Sequence, residues 1–171
     1  MIQATRSIHP PEGFVSACSR YDWLCTSRSG RSMGDAEAMG LLKRVNGAVN
    51  SSVRAVADGK SVGRREHWSL PINGRGDCED FALAKMKQLI AAGFRADRLA
   101  MTVVLDRRGN NHAVLLARLD SGDFVLDNLS GTVKAWHRTG YTFLARQNFD
   151  NKRAWNVILA GPRAGRFFRE S

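Results

Sequence analysis

A chain of 171 residues, 43% hydrophobic and 25% charged, can bury its own core and is expected to form one domain over residues 1–171. No run of about 18 apolar residues occurs, which excludes a membrane-spanning helix. The net charge of +10 does not by itself make a nucleic-acid binder, because the arginines are scattered and no nucleic-acid motif accompanies them.

Met1 to Phe14 carries no apolar h-region, so no signal peptide is expected in this chain. That fits either a cytoplasmic protein or a chain that begins after a removed leader. Residues 1–30 read as irregular, broken by Pro10-Pro11 and Gly13, with Trp23 and Leu24 as an anchor. Of the three cysteines, Cys18 and Cys25 lack zinc spacing. They are expected to form a disulfide worth about 2–3 kcal/mol, the alternative being two reduced thiols.

From residue 32 to about 57, Leu42, Val45, Val49, Val53 and Val56 follow helical spacing, and Asp58-Gly59 ends the run. Asn46 and Asn50 lie one turn apart, placed either to hydrogen-bond a following loop or to face water. A polar connection over residues 58–75 holds His67, Trp68 and Pro71. Trp68 is either a hydrophobic plug or a cleft wall whose indole N–H meets an oxyanion.

Gly74-Arg75-Gly76-Asp77-Cys78-Glu79-Asp80 is the stretch around which the rest is organised. The glycines make a loop, Asp77 is a good helix N-cap, and Asp80 stands where a capping-box carboxylate would. The helix then runs through Leu83, Met86, Leu89 and Ile90 and stops at Gly93. Cys78 becomes its first residue, where unpaired N–H groups and the macrodipole favour a thiolate. Asp77, Glu79 and Asp80 oppose that, so activation needs a histidine or a bound cation. Without either, Cys78 is a small buried apolar residue.

After this helix the period becomes strand-like at residues 99–105, 112–118, 124–127, 132–136, 141–146 and 155–160. Helices followed by an antiparallel sheet make the class α+β. Side chains alternate along a strand, so pairing Arg118 with Asp123 puts Val114 opposite Asp127 and His112 on the same face, in diagonal reach. A tighter turn at Ser121-Gly122 would double the offset. Asn128 points away, Asp123 lies too near the turn, and His137 has no evident carboxylate. Cys78, His112 and Asp127 are therefore the candidate nucleophile, base and orienting group. The basic, aromatic end (Arg163, Arg166 and Arg169 around Phe167 and Phe168) reads as a surface tail with a docking aromatic pair.

These residues resemble the bacterial transglutaminase-like cysteine proteinases of the papain and transglutaminase superfamily. The likeness runs through Pro11-x-Gly13-Phe14, Val45-Asn46, Asn50, Trp68-x-x-Pro71 and Gly76-Asp77-Cys78-Glu79-Asp80-Phe81-Ala82. It continues in His112-Ala113-Val114-Leu115, Val125-Leu126-Asp127-Asn128, Trp136, Gly140-Tyr141, Arg146-Gln147 and Trp155. The resemblance implies a papain/transglutaminase-like fold, with the nucleophile at a helix N-terminus packed on the sheet. It also implies a Cys78–His112–Asp127 triad, export to the periplasm or beyond, and a protein substrate of the envelope or surface. The family's best-known branch is a calcium-dependent protease that clips surface adhesins in biofilm control. Its calcium ligands would fall here at Asp77 and Glu79, with Asp80 as a third carboxylate; the alternative is that these residues only cap the helix. No organic cofactor is implied, and a monomer is expected. Two rivals stay open: an acyl transferase (transglutaminase or N-acyl type) using the same triad, and a binding domain of the same fold without catalysis.

Overall fold

The computed structural model describes residues 1–27, 30–56 and 67–167. The N-terminal segment is more regular than the sequence indicates. It contains β1 (Ser7–Ile8), α1 (Glu12–Arg20) and the single turn α2 (Asp22–Cys25). Pro10-Pro11 does not break this structure; Pro11 caps α1, its carbonyl accepting from the N–H groups of Phe14 and Val15 at 3.0 and 3.1 Å. A proline there lacks only an N–H that no helix would use. Cys18 and Cys25 are disulfide-bonded across α1 and α2, Cα to Cα 5.6 Å, and Cys78 is a free thiol.

Helix α3 (Asp35–Ser52) ends five residues before the sequence expectation of about 57. Val53 is already extended, and Arg54 N–H donates to Gly74 at 2.7 Å. The competing partner is tertiary: β2 (Arg54–Ala55) pairs in parallel with β3 (Arg75–Gly76), a ladder that β-branched Val53 and Val56 suit better than helix. The expected stop at Asp58-Gly59 lies outside the described residues. Helix α4 (Cys78–Ala91) follows the cap expected of Asp77 and closes at Gly93, whose φ of +96° favours glycine.

The remaining strands are β4 (Leu99–Leu105), β5 (Asn111–Leu119), β6 (Gly122–Asp127), β7 (Ser130–Ala135), β8 (Thr142–Gln147) and β9 (Trp155–Ala160). They build a seven-stranded sheet in the order β1-β9-β8-β4-β5-β6-β7, antiparallel at every pairing. β4 and β9 have the expected bounds. β7 starts two residues early and stops short of Trp136, because Trp136–Arg138 forms a 3-10 turn.

Helices α3 and α4 lie on one face of the sheet, over a core that includes Phe14, Leu42, Leu83, Met86, Leu115, Leu126 and Trp155. The alternating residues Val104, Val114, Leu116, Val125 and Phe143 form a second cluster, closed by Ile2, Phe149 and Ile158. Burying alternate residues on both faces makes a one-residue slip costly, so the register that carries His112 and Asp127 is well specified.

Candidate active site

The mouth of α4 is built by reciprocal hydrogen bonds. Asp77 Oδ1 accepts from Asp80 N–H at 3.1 Å, and Asp80 Oδ2 accepts from Asp77 N–H at 3.2 Å, the capping box expected from the sequence. Asp80 Oδ1 also accepts from Ser69 N–H at 3.1 Å, tying the loop beside Trp68 to the helix. Gly76 is needed for this closeness, since a Cβ there would stand 2.7 Å from Asp80 Cβ.

Cys78 is the first helical residue and is half-buried. Burial pushes its thiol up, and Glu79 and Asp77 add to that by charge, while the Ala113 backbone N–H pulls it down. The helix end alone therefore does not ionise the sulfur; the local carboxylates and desolvation win. The Ala113 amide is joined to the carbonyl of His112, so Cys78 lies against the start of β5.

The β5–β6 register pairs Arg118 with Asp123 and Leu119 with Gly122. Continued along the strands it sets Val114 opposite Asp127, with His112 diagonal to it on the same face, as strand parity indicates. His112 Nε2 is 2.8 Å from Asp127 Oδ1. A carboxylate only accepts, so Nε2 carries the proton and Nδ1 is left as the basic nitrogen. Both residues are buried.

Asp127 has further partners that sequence reasoning did not name. Tyr141 Oη donates to Oδ2 at 2.5 Å, and Leu129 N–H donates to Oδ1 at 3.0 Å. Burial pushes Asp127 up, but the bonds from His112 and Tyr141 and the imidazole's charge outweigh it and hold the carboxyl below its ordinary range. Tyr141 is held above its own range, chiefly by burial and then by Asp127, so it stays a donor. Its ring is edge-on to His112 at 5.8 Å between centroids. Tyr141 stood in the sequence only as part of a Gly-Tyr pair, with no signal of this contact.

Asn46 and Asn50 do not face water. Asn50 Nδ2 donates to the backbone carbonyls of Asp127 and Ser130 at 3.0 and 3.3 Å, and Asn46 Nδ2 to Ser130 at 3.1 Å. Two α3 amides thus clamp the turn that carries Asp127. His137 lies in the 3-10 turn, edge-on to Trp136. Trp68 is 3% exposed and packs edge-on to Phe14 and Trp155 at 6.0 and 6.1 Å, so the greater part of its ring is a core plug. Its carbonyl accepts from Arg20.

Among the described residues no three His, Cys, Asp or Glu side chains converge as a metal site by themselves. Both oxygens of Asp80 already accept backbone N–H bonds. Asp77 and Glu79 supply hard carboxylate oxygens of the kind Ca²⁺ takes, and their charge adds to burial in raising the neighbouring thiol. The donor chemistry fits calcium, provided carbonyl oxygens complete the shell.

The family model of the bacterial transglutaminase-like cysteine proteinases matches residues 4–162. No curated protein matches the chain. Legionella pneumophila LapG superposes with a TM-score of 0.57 at 25% identity, over 65% of this chain and 64% of that one, less than two thirds of the LapG chain. A calcium-bound LapG structure has a TM-score of 0.57 at 21% identity, covering 82% of this chain and 84% of its own. An EGTA-treated one has 0.56 at 20%, covering 82% and 83%. At those two identities the likeness is one of fold, and that fold is the expected α+β, transglutaminase-like arrangement. With the family model spanning nearly the whole sequence, the chain belongs to the bacterial transglutaminase-like cysteine proteinases.

Proposed function

We propose that the protein hydrolyses a peptide bond in an envelope or surface protein, with Cys78 as nucleophile, His112 as base and Asp127 as the group that orients it. The observation that carries this is the bond between His112 Nε2 and Asp127 Oδ1, which leaves Nδ1 as the nitrogen able to serve a sulfur seated at the Ala113 amide. Nδ1 takes the thiol proton as Sγ forms a bond to the scissile carbonyl carbon. The resulting oxyanion is met by the Cys78 N–H, one of the first-turn groups with no intrahelical partner. Collapse breaks the C–N bond, and the leaving amine takes the proton from Nδ1. Water then gives a proton to Nδ1, its oxygen attacks the thioester, and Sγ leaves with that proton restored. Trp68 is a weaker second candidate for the oxyanion.

The Cys18–Cys25 bridge supports an oxidising compartment, the periplasm or outside the cell. Calcium held at Asp77 and Glu79 would offset the negative charge beside the sulfur. Chelation is expected to slow Cys78 alkylation about tenfold and to lower the melting temperature. Glu79→Gln should reproduce the slowing, and it tests the site better than Asp77→Ala, which also removes the helix cap. Identical alkylation rates and melting temperatures with and without chelator would remove calcium from this account.

The triad is tested with p-nitrophenyl acetate. Wild-type protein should give a stoichiometric nitrophenol burst and a Cys78-linked acetyl group in the mass spectrum. Cys78→Ala should give neither, and His112→Ala should slow the burst by about a hundredfold or more. If His112→Ala acylates at the wild-type rate, the chain keeps the fold but not the chemistry. Adding a primary amine separates hydrolysis from acyl transfer: water should remain the main acceptor, and an amide product in majority would favour the transferase.

A further inference from the structure

The backbone of Trp68, Ser69 and Leu70 belongs to no helix or strand, and no backbone–backbone hydrogen bond reaches it among the described residues. Polar backbone groups beside the core need partners all the same. These find them in side chains of the α1–α2 corner and of the α4 mouth. The Trp68 carbonyl accepts from Arg20, Ser69 N–H donates to Asp80 Oδ1 at 3.1 Å, and Leu70 N–H donates to Tyr21 Oη at 3.0 Å. Arg20 and Tyr21 both lie inside the loop that the Cys18–Cys25 bridge closes. Tyr21 is the corner itself. It ends α1 and caps α2, its N–H donating to Ala17 at 2.8 Å and its carbonyl accepting from Leu24 N–H at 3.1 Å. A single helical turn does not hold itself in water, so the bridge and the buried Leu24 and Cys25 fix it. The Tyr21 ring stacks on Trp23, 5.5 Å between centroids, which sets where the hydroxyl can sit.

We propose that Tyr21 is a positioning residue: by holding Leu70 N–H it fixes the Trp68–Leu70 backbone and, through Ser69 and Asp80, aims the Cys78 N–H at the oxyanion. The Cys78 N–H belongs to the peptide that follows Asp77. Its direction is set by the Asp77 backbone, which Asp80 pins twice, at the Asp77 N–H and at the Asp77 side chain. Asp80 is in turn oriented by Ser69 N–H, and Ser69 is the neighbour of the residue that Tyr21 holds. Without the hydroxyl, Leu70 N–H loses its acceptor, the stretch shifts and Asp80 turns with it. The proposal rests on the Cys78 N–H as the oxyanion donor of the reading above and adds the group that aims it.

The role has a kinetic signature that packing alone does not give. Acylation by p-nitrophenyl acetate builds negative charge on the carbonyl oxygen, so its rate depends on the donor's aim. Alkylation by iodoacetamide forms an Sγ–C bond at a saturated carbon as iodide leaves, and no oxyanion arises. It reports only the supply of thiolate. A misaimed donor therefore slows the first reaction and spares the second, whereas a loosened fold or a weakened base slows both. Tyr21→Phe keeps the ring and its stacking on Trp23 and removes only the acceptor. The test measures burst rate and alkylation rate at one pH, with a thermal melt to show that each variant folds.

Tyr21→Phe should slow the burst about tenfold while alkylation stays within about twofold of wild type. Arg20→Met, which frees the Trp68 carbonyl at the other end of the stretch, gives the same readout should the phenylalanine variant not fold. A burst within about twofold of wild type, or burst and alkylation rates that fall by the same factor, would overturn the proposal in favour of a packing role. His112→Ala in parallel identifies the level of failure. It should slow both reactions; if it slows neither, the triad falls and the aim of its oxyanion donor with it. If it slows both and Tyr21→Phe slows neither, the triad stands and Tyr21 has no part in it.

Discussion

Asp127→Asn is expected to slow the p-nitrophenyl acetate burst by about a hundredfold or more while leaving the fold in place. The carboxylate accepts from three donors: His112 Nε2–H, Tyr141 Oη and Leu129 N–H. An asparagine can keep at most two of them, because one of its two heteroatoms is a donor. If its oxygen stays with His112, the NH₂ opposes the Tyr141 hydroxyl, whose own proton must then turn elsewhere. If the amide flips, its N–H faces Nε2, and the imidazole must move its proton to Nδ1, the nitrogen that should receive the thiol proton. Both orientations are open to the amide, so a single tautomer is no longer dictated. Tyr141→Phe removes only one of the three bonds and should cost about tenfold. If Asp127→Asn gives a burst within about twofold of wild type, Asp127 is not the orienting group.

Asp80→Ala should be among the most destabilising single changes in the chain, at about 3 kcal/mol or more, lowering the melting temperature by about 10 °C. Asp80 is 6% exposed and satisfies two backbone N–H groups, those of Asp77 and Ser69, which the alanine would leave without their acceptor. The loss also releases the loop beside Trp68, a packing partner of Phe14 and Trp155. Because the contribution is a network of backbone bonds, the loss should be the same with chelator as with calcium. A melting temperature that falls only when calcium is present would instead make Asp80 a metal ligand, and an unchanged one would show that the capping box carries little of the stability. Measuring unfolding by circular dichroism in both conditions decides among these.

Much of the site was legible because it is local or periodic. Asp77 and Asp80 define a helix start within four residues, so Cys78 at the first turn follows from spacing. His112 and Asp127 belong to one hairpin, and alternation with a short turn leaves few registers in which both face the same side. The less accurate expectations fell where distant chain segments compete. Residues 53–56 leave the helical pattern because Gly74 and Gly76 offer them a ladder. Pro10-Pro11 looked like a breaker because its partner, a helix whose face buries Phe14 and Ala17, is visible only in the folded chain.

The sequence by itself determined the capping box, the place of Cys78 at a helix mouth, the strand parity of His112 and Asp127, and the family. All of these rest on separations short enough for backbone geometry to dictate them. Only the tertiary structure decided what surrounds the carboxylate. Tyr141 arrives from the loop before β8, and Asn46 and Asn50 from a helix 77 or more residues upstream. None of these leaves a local mark, since a buried polar side chain is identified by the partner that folding brings to it.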